Sequence, residues 1–296
     1  MLVKADPSLF LSKFQTQEKL KISYFSGLVS VFMRNVKIIS RYKIQLIIGL
    51  INTVVVFSLY YYVSLLVPNQ KISFYDTTVR STEFIAIGML TVDLTTRAFN
   101  NGLGSFVSEM RQGTFVSLVV SPYGIKKYIL TEILFEITYS FILSFFYYIP
   151  LFLIFPIFKS YSFTLASFVS FLVIICSLFF FFYSFTLVVS TISLIVKKSR
   201  ELSLIFVAIL QLLSGALFPL SVFPHWLRLI ALVSPYTLSI NALRLCLFRK
   251  ATIFMPEVWR SVLFMLLTST GLLILFSFVF RGVYNKLKRT GEIQGY

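Results

Sequence analysis

The sequence has 296 residues, of which 57% are hydrophobic, 18% aromatic and only 13% charged. Soluble domains carry about 25% charged residues, so a water-soluble core is excluded and the bilayer is the solvent that remains. The net charge of +16 does not indicate nucleic acid, because the basic residues fall in the gaps between apolar runs rather than along one stripe.

Eight basic residues (Lys4, Lys13, Lys19, Lys21, Arg34, Lys37, Arg41 and Lys43) precede the first long apolar run. A cleavable signal would place its apolar segment earlier, so the first span is expected to act as its own uncleaved signal. Within this lead-in, Ile22, Phe25, Val29, Phe32, Val36 and Ile39 recur every three to four residues, while Lys21, Arg34, Lys37 and Arg41 fall elsewhere on the wheel. That pattern predicts an amphipathic helix lying in the headgroup plane. Residues 1–43 therefore read as a cytoplasmic or interfacial segment, and residues 44–296 as the transmembrane domain.

A spanning helix needs about 20 mainly apolar residues. The expected spans are residues 44–67, 83–107, 128–155, 164–190, 202–217 and 261–280, six in all. Pro68-Asn69 closes the first, Pro156 and Lys159 mark the turn after the third, and Arg281 stops the last. With six spans and the N-terminus inside, 19 of the 27 Lys and Arg residues lie on inner segments, Arg97 toward the inner end of the second span counted with them, and 8 on outer ones. That bias puts both termini in the cytoplasm. The expected location is a prokaryotic inner membrane, or a plastid membrane for an organelle-encoded gene.

Four charges lie inside expected spans. Asp93 and Arg97 are four residues apart, share a helix face and can pair. Glu132 and Glu136 have the same spacing on the third span. Glu136 lies nine residues past Lys127, roughly 13 Å along a helix. Intramembrane ionisable groups face the protein interior and mark pathways or structural ion pairs. An ion-pair network joining the second and third spans accounts for Asp93 and Arg97, Glu132 falls near the headgroups, and Glu136 is the candidate pathway residue.

Two segments say more. The first is Glu109-Met110-Arg111-Gln112-Gly113-Thr114-Phe115 leading to Ser121-Pro122, on the inner side between spans two and three. The second runs Ser214-Gly215-Ala216-Leu217-Phe218-Pro219 to Pro224-His225-Trp226 on the outer side, then Ser234-Pro235-Tyr236 and Asn241-Ala242-Leu243-Arg244. Together with Glu83-Phe84-Ile85-Ala86-Ile87-Gly88, this ordered set resembles the permeases of ABC-2 type transporters. The resemblance covers nearly the whole chain.

It implies an all-α integral membrane fold: six transmembrane helices, an N-terminal interfacial amphipathic helix, a cytoplasmic coupling helix and a partly re-entrant outer segment before the last helix. It implies that Glu109, Arg111, Gly113 and Thr114 couple to a separate ATP-binding subunit, and that Gly215, Pro219, Pro224 and Trp226 belong to an outer gate. It further implies a homodimer or a pairing with a similar permease, and export of a hydrophobic, lipid-linked or drug-like substrate. ATP and Mg2+ would sit on the partner subunit.

The residues agree with a transport subunit rather than an enzyme. The chain contains no G-x-x-x-x-G-K-[ST] phosphate loop. Its single histidine, His225, stands next to Trp226 in the outer segment, so a two-histidine metal site or a His-based catalytic pair within one chain is excluded. Cys176 in an apolar run and Cys246 in a later loop region show no paired spacing. No catalytic residue, metal ligand or bound cofactor is expected. The alternative reading is a secondary transporter or channel that uses the embedded charges without an ATPase.

Overall fold

The computed structural model describes residues 24–65, 71–74, 77–111, 117–118, 121–154, 164–196 and 199–290. These form α1 (Tyr24–Arg41), α2 (Lys43–Leu65), α3 (Ser81–Arg111), α4 (Ile125–Ile154), α5 (Leu165–Val196), α6 (Ser199–Leu213), α7 (His225–Val233), α8 (Pro235–Phe248) and α9 (Pro256–Thr290), with a 3-10 turn at Leu220–Val222. The fold is all-α apart from a short antiparallel hairpin, β1 (Lys71–Phe74) and β2 (Thr77–Arg80), whose backbone pairs run from Lys71 opposite Arg80 to Phe74 opposite Thr77. The hairpin was not expected from the sequence. It links α2 to α3, and four-residue strands are too short to show a clear alternating pattern.

Among the described residues four helices are long and apolar enough to cross a membrane: Lys43–Leu65, Ile125–Ile154, Leu165–Val196 and Pro256–Lys286. A fifth candidate is the pair α7 and α8, which meet at 79°. Two of the six expected spans differ. The second forms as a 31-residue helix, α3, but Asp93, Arg97 and its threonines make it less apolar than those four. Its polarity is turned into the protein: Thr91 and Thr95 are buried and bond back to carbonyls of their own helix. The fifth, α6, is only 15 residues long, or about 22 Å, because Ser214 and Gly215 end it. The last span is longer than expected, at 35 residues.

The main core gathers buried side chains from α3, α4, α5, α8 and α9. α5 packs along α9, and α3 along α4. Ser170, Ser184, Ser190, Thr191 and Ser193 are buried on α5, and their hydroxyls donate to carbonyls three or four residues back. Each helix then satisfies its own polar groups while small side chains admit close neighbours. A second cluster, Phe57, Ala86, Leu90, Tyr148 and Leu151, fastens α2 to α3 and α4. Cys246 is not in a loop; it is buried in α8, and both cysteines are free.

The amphipathic helix forms as α1, and its Gly27, Val31 and Asn35 are buried. Val31 packs with Tyr123 and Tyr128. Gly27 permits that seating, because a Cβ there would run into the Tyr123 ring. Tyr123 is fixed in turn by a hydrogen bond between its hydroxyl and Thr131 Oγ1 at 2.7 Å. α1 breaks at Tyr42 and α2 starts at Lys43.

Candidate functional site

Three polar clusters lie among the described residues. The first joins α1 to the end of α3 and the start of α4. Arg34 Nη1 donates to Glu109 Oε1 at 3.0 Å, and Nη2 donates to Tyr128 Oη at 2.8 Å and to Glu132 Oε2 at 3.0 Å. Asn35 Nδ2 adds a bond to the same Glu132 oxygen at 2.9 Å, and Tyr128 Oη donates to Glu109 Oε1 at 2.8 Å. Burial works against the Arg34 charge, but Glu132, Tyr128 and Glu109 outweigh it and hold the guanidinium pKa above its ordinary value. The Arg34 side chain is 38% exposed and that of Glu132 only 5%. Loss of the arginine therefore costs mainly through a stranded carboxylate, about 2 kcal/mol after allowance for the wet side.

Of these residues, Glu109 is one of the expected coupling residues. Glu109 is turned toward Arg34 and Tyr128, two residues before α3 ends at Arg111. Gly113 and Thr114 lie outside the described residues, as does the side chain of Arg111. Arg34 was read only as one of the basic residues off the apolar stripe. Nothing local marks its partners, which are 75 and 98 positions away.

The second group lies deeper. Arg97 Nε donates to Asp93 Oδ2 at 2.8 Å, the expected pair, and Arg97 Nη2 donates to Thr53 Oγ1 on α2. The guanidinium also stands 5.2 Å from the Tyr147 ring centre on α4, while Tyr147 Oη donates to the Leu46 carbonyl on α2 at 2.8 Å. The pair thus holds α2 against α3 and α4. It does not reach Glu132, whose ion pair is with α1. The expected network therefore exists as two separate parts. Glu136 belongs to neither: it makes no hydrogen bond to a described residue and opens on a cleft beside α1.

The third group lies at the opposite end of α3. Gly215 follows α6 with φ +61°, a left-handed turn suited to glycine. Pro219 caps the 3-10 turn and Pro224 caps α7. Trp226 on α7 is largely exposed, consistent with an interfacial position. Pro235 starts α8 after the 79° bend. Arg244, fully buried on α8, was quoted only as part of a motif. Its Nη1 donates to Gly215 O at 3.0 Å, and its Nη2 to Ala216 O at 2.7 Å and Phe84 O at 3.0 Å. The guanidinium lies 3.4 Å from the centre of the Phe84 ring. Gly88 leaves room for this, since a Cβ there would collide with the Ala216 carbonyl oxygen. Residues 83–88, 214–217 and 241–244, separate in the sequence, meet at one arginine.

Among the described residues no three His, Cys, Asp or Glu side chains converge as a metal site. The arrangement offers helices clamped at both ends of α3, a polar cleft beside Glu136 and the bent pair α7 and α8. A search of curated proteins finds no match to the chain. The family model for the ABC-2 type transporter matches residues 27–248, from within α1 to the end of α8, and the chain belongs to that family of transport membrane components.

Proposed function

We propose that the chain is the permease subunit of an ATP-driven exporter, moving a hydrophobic, lipid-linked or drug-like substrate with energy from a separate ATP-binding subunit. It acts as a homodimer or with a similar permease. α2, α3, α4, α5, α6 and α9 supply six crossings, with both termini cytoplasmic. α7 and α8 form a partly re-entrant outer gate with Gly215, Pro219, Pro224 and Trp226. Glu136 serves the substrate pathway.

One observation carries this reading. Arg34 ties the last turns of α3, through Glu109, to α1 and α4, and residues 109–114 are the segment that resembles the family's contact with its ATPase. Motion delivered to residues 109–114 has a direct route into three helices. ATP binding to the partner favours one arrangement of these helices and hydrolysis another, so the cycle shifts populations between two states. ATP and Mg2+ stay on the partner.

The test is co-expression with the ATPase encoded nearest in the genome, followed by capture and a transport assay. The wild type is expected to retain the ATPase. The double variant Glu109→Ala, Arg111→Ala is expected to insert in the membrane yet lose the ATPase, or hydrolyse ATP without transport. Unchanged capture and transport in that variant would overturn the coupling role. Transport that proceeds with no ATPase present would instead favour a secondary transporter or channel.

A further inference from the structure

We propose that the cleft bordered by α1, the start of α2, the C-terminal half of α3 and α4 binds the ammonium head of a cationic amphiphile, with Glu136 as its counter-charge. The proposal rests on the pathway role given to Glu136 and narrows it to a chemical class of ligand.

The cleft consists of two adjoining cavities of about 310 and 400 Å³ that share Ile38, Ile39, Ser105, Ser108 and Glu136. Ligand pockets occupy about 300–1,000 Å³, so the space suits a small amphiphile. Its charge balance is unusual for a chain with net charge +16. Glu109, Glu132 and Glu136 line it, against Arg34 as the basic lining residue. Arg34 is already bonded to Glu109 and Glu132. Glu136 remains without a hydrogen bond to a described residue, so the cleft holds an acid whose ionised form a bound cation would stabilise.

The rest of the lining selects which cation. Tyr42, Phe135 and Tyr139 border the cleft, and the rings of Phe135 and Tyr139 stack at 6.1 Å with a 4° angle between their planes. Phe32 braces Phe135 edge-on at 5.0 Å. Aromatic faces attract an ammonium group and suit it better than a fully hydrated metal ion. Ile38, Ile39 and Leu46 provide an apolar wall for the attached chain. An anionic head would meet repulsion from Glu109 and Glu132.

The test uses the full chain in phosphatidylglycerol nanodiscs without any ATPase, with binding of radiolabelled dodecyltrimethylammonium measured against empty discs. Glu136→Gln is expected to weaken binding about tenfold while leaving the unfolding midpoint unchanged. Tyr139→Ala should weaken it several-fold, and Tyr139→Phe, which keeps the ring face, should not. Dodecanol, the uncharged probe, should bind the wild type and E136Q alike. Equal binding of dodecyltrimethylammonium to wild type and E136Q, or equal losses for both probes, would overturn the proposal.

Repeating the measurement with phosphatidylethanolamine in the discs separates the two sources of such a head. Weaker probe binding identifies the lipid amine as occupant, and unchanged binding identifies a cationic amphiphile that is not a bilayer lipid. Because no ATPase is present, a negative result here leaves the ATP-driven reading intact. Failure to capture an ATPase likewise leaves a positive binding result intact.

Discussion

Arg244 on α8 donates to the carbonyl of Phe84 at the start of α3, across 160 positions of sequence. The same guanidinium bonds the carbonyls of Gly215 and Ala216, the two residues that turn the chain after α6. A single cation therefore fixes where the turn after α6 rests on α3. Its partners are neutral carbonyls and the Phe84 ring, so the fork of the guanidinium matters as much as its charge.

Replacing Arg244 with Met should leave three buried carbonyls without their donor and cost about 3 kcal/mol. Arg244→Lys should fall between, because an ammonium cannot reproduce the planar fork. Unfolding of the purified variants in detergent checks this. A midpoint for R244M equal to that of the wild type would mean that the clamp adds nothing.

Gly88 makes a sharper comparison possible. In Gly88→Ala the new Cβ meets the backbone oxygen of Ala216, which cannot swing aside, so the variant should lose stability and the Arg244 contact with it. In Gly271→Ala, on α9, the Cβ would enter open space. There the change should be neutral or stabilising by up to about 1 kcal/mol, from helix propensity alone. Equal effects at the two positions would count against the close approach at Gly88.

At the other end of α3, Arg34 and Glu132 should be energetically coupled. A cycle of Arg34→Gln, Glu132→Gln and the double variant should yield a coupling of about 1–2 kcal/mol, below that of a fully buried pair because Arg34 is partly wet. Each single variant should also weaken ATPase capture without abolishing insertion. Additive single effects would show that α1 is not held through this pair.

Topology gives an independent check. The proposed six crossings with both termini in the cytoplasm rest on the bias of Lys and Arg, so reporter fusions at Asn69 and at Gln294 should give opposite signals. Matching signals would overturn the six-span arrangement.

What could be read from the sequence was whatever depends on near neighbours. Apolar runs located α2, α4, α5 and α9 because crossing a bilayer demands a long uninterrupted stretch. The three-to-four-residue spacing of Phe25, Val29 and Phe32 located α1, and the four-residue spacing of Asp93 and Arg97 foretold their pair. The ordered motifs pointed to the family. The tertiary structure decided which charges are joined. Arg34 meets Glu109 and Glu132 across 75 and 98 positions, and Arg244 meets Phe84 across 160. It also decided that Glu136 alone of these acids opens on the cleft without a hydrogen bond to a described residue. The physical reason is that hydropathy and helical period are properties of a few consecutive residues. The partner of a buried charge is set by which helices pack together, and that is fixed only when the whole bundle closes.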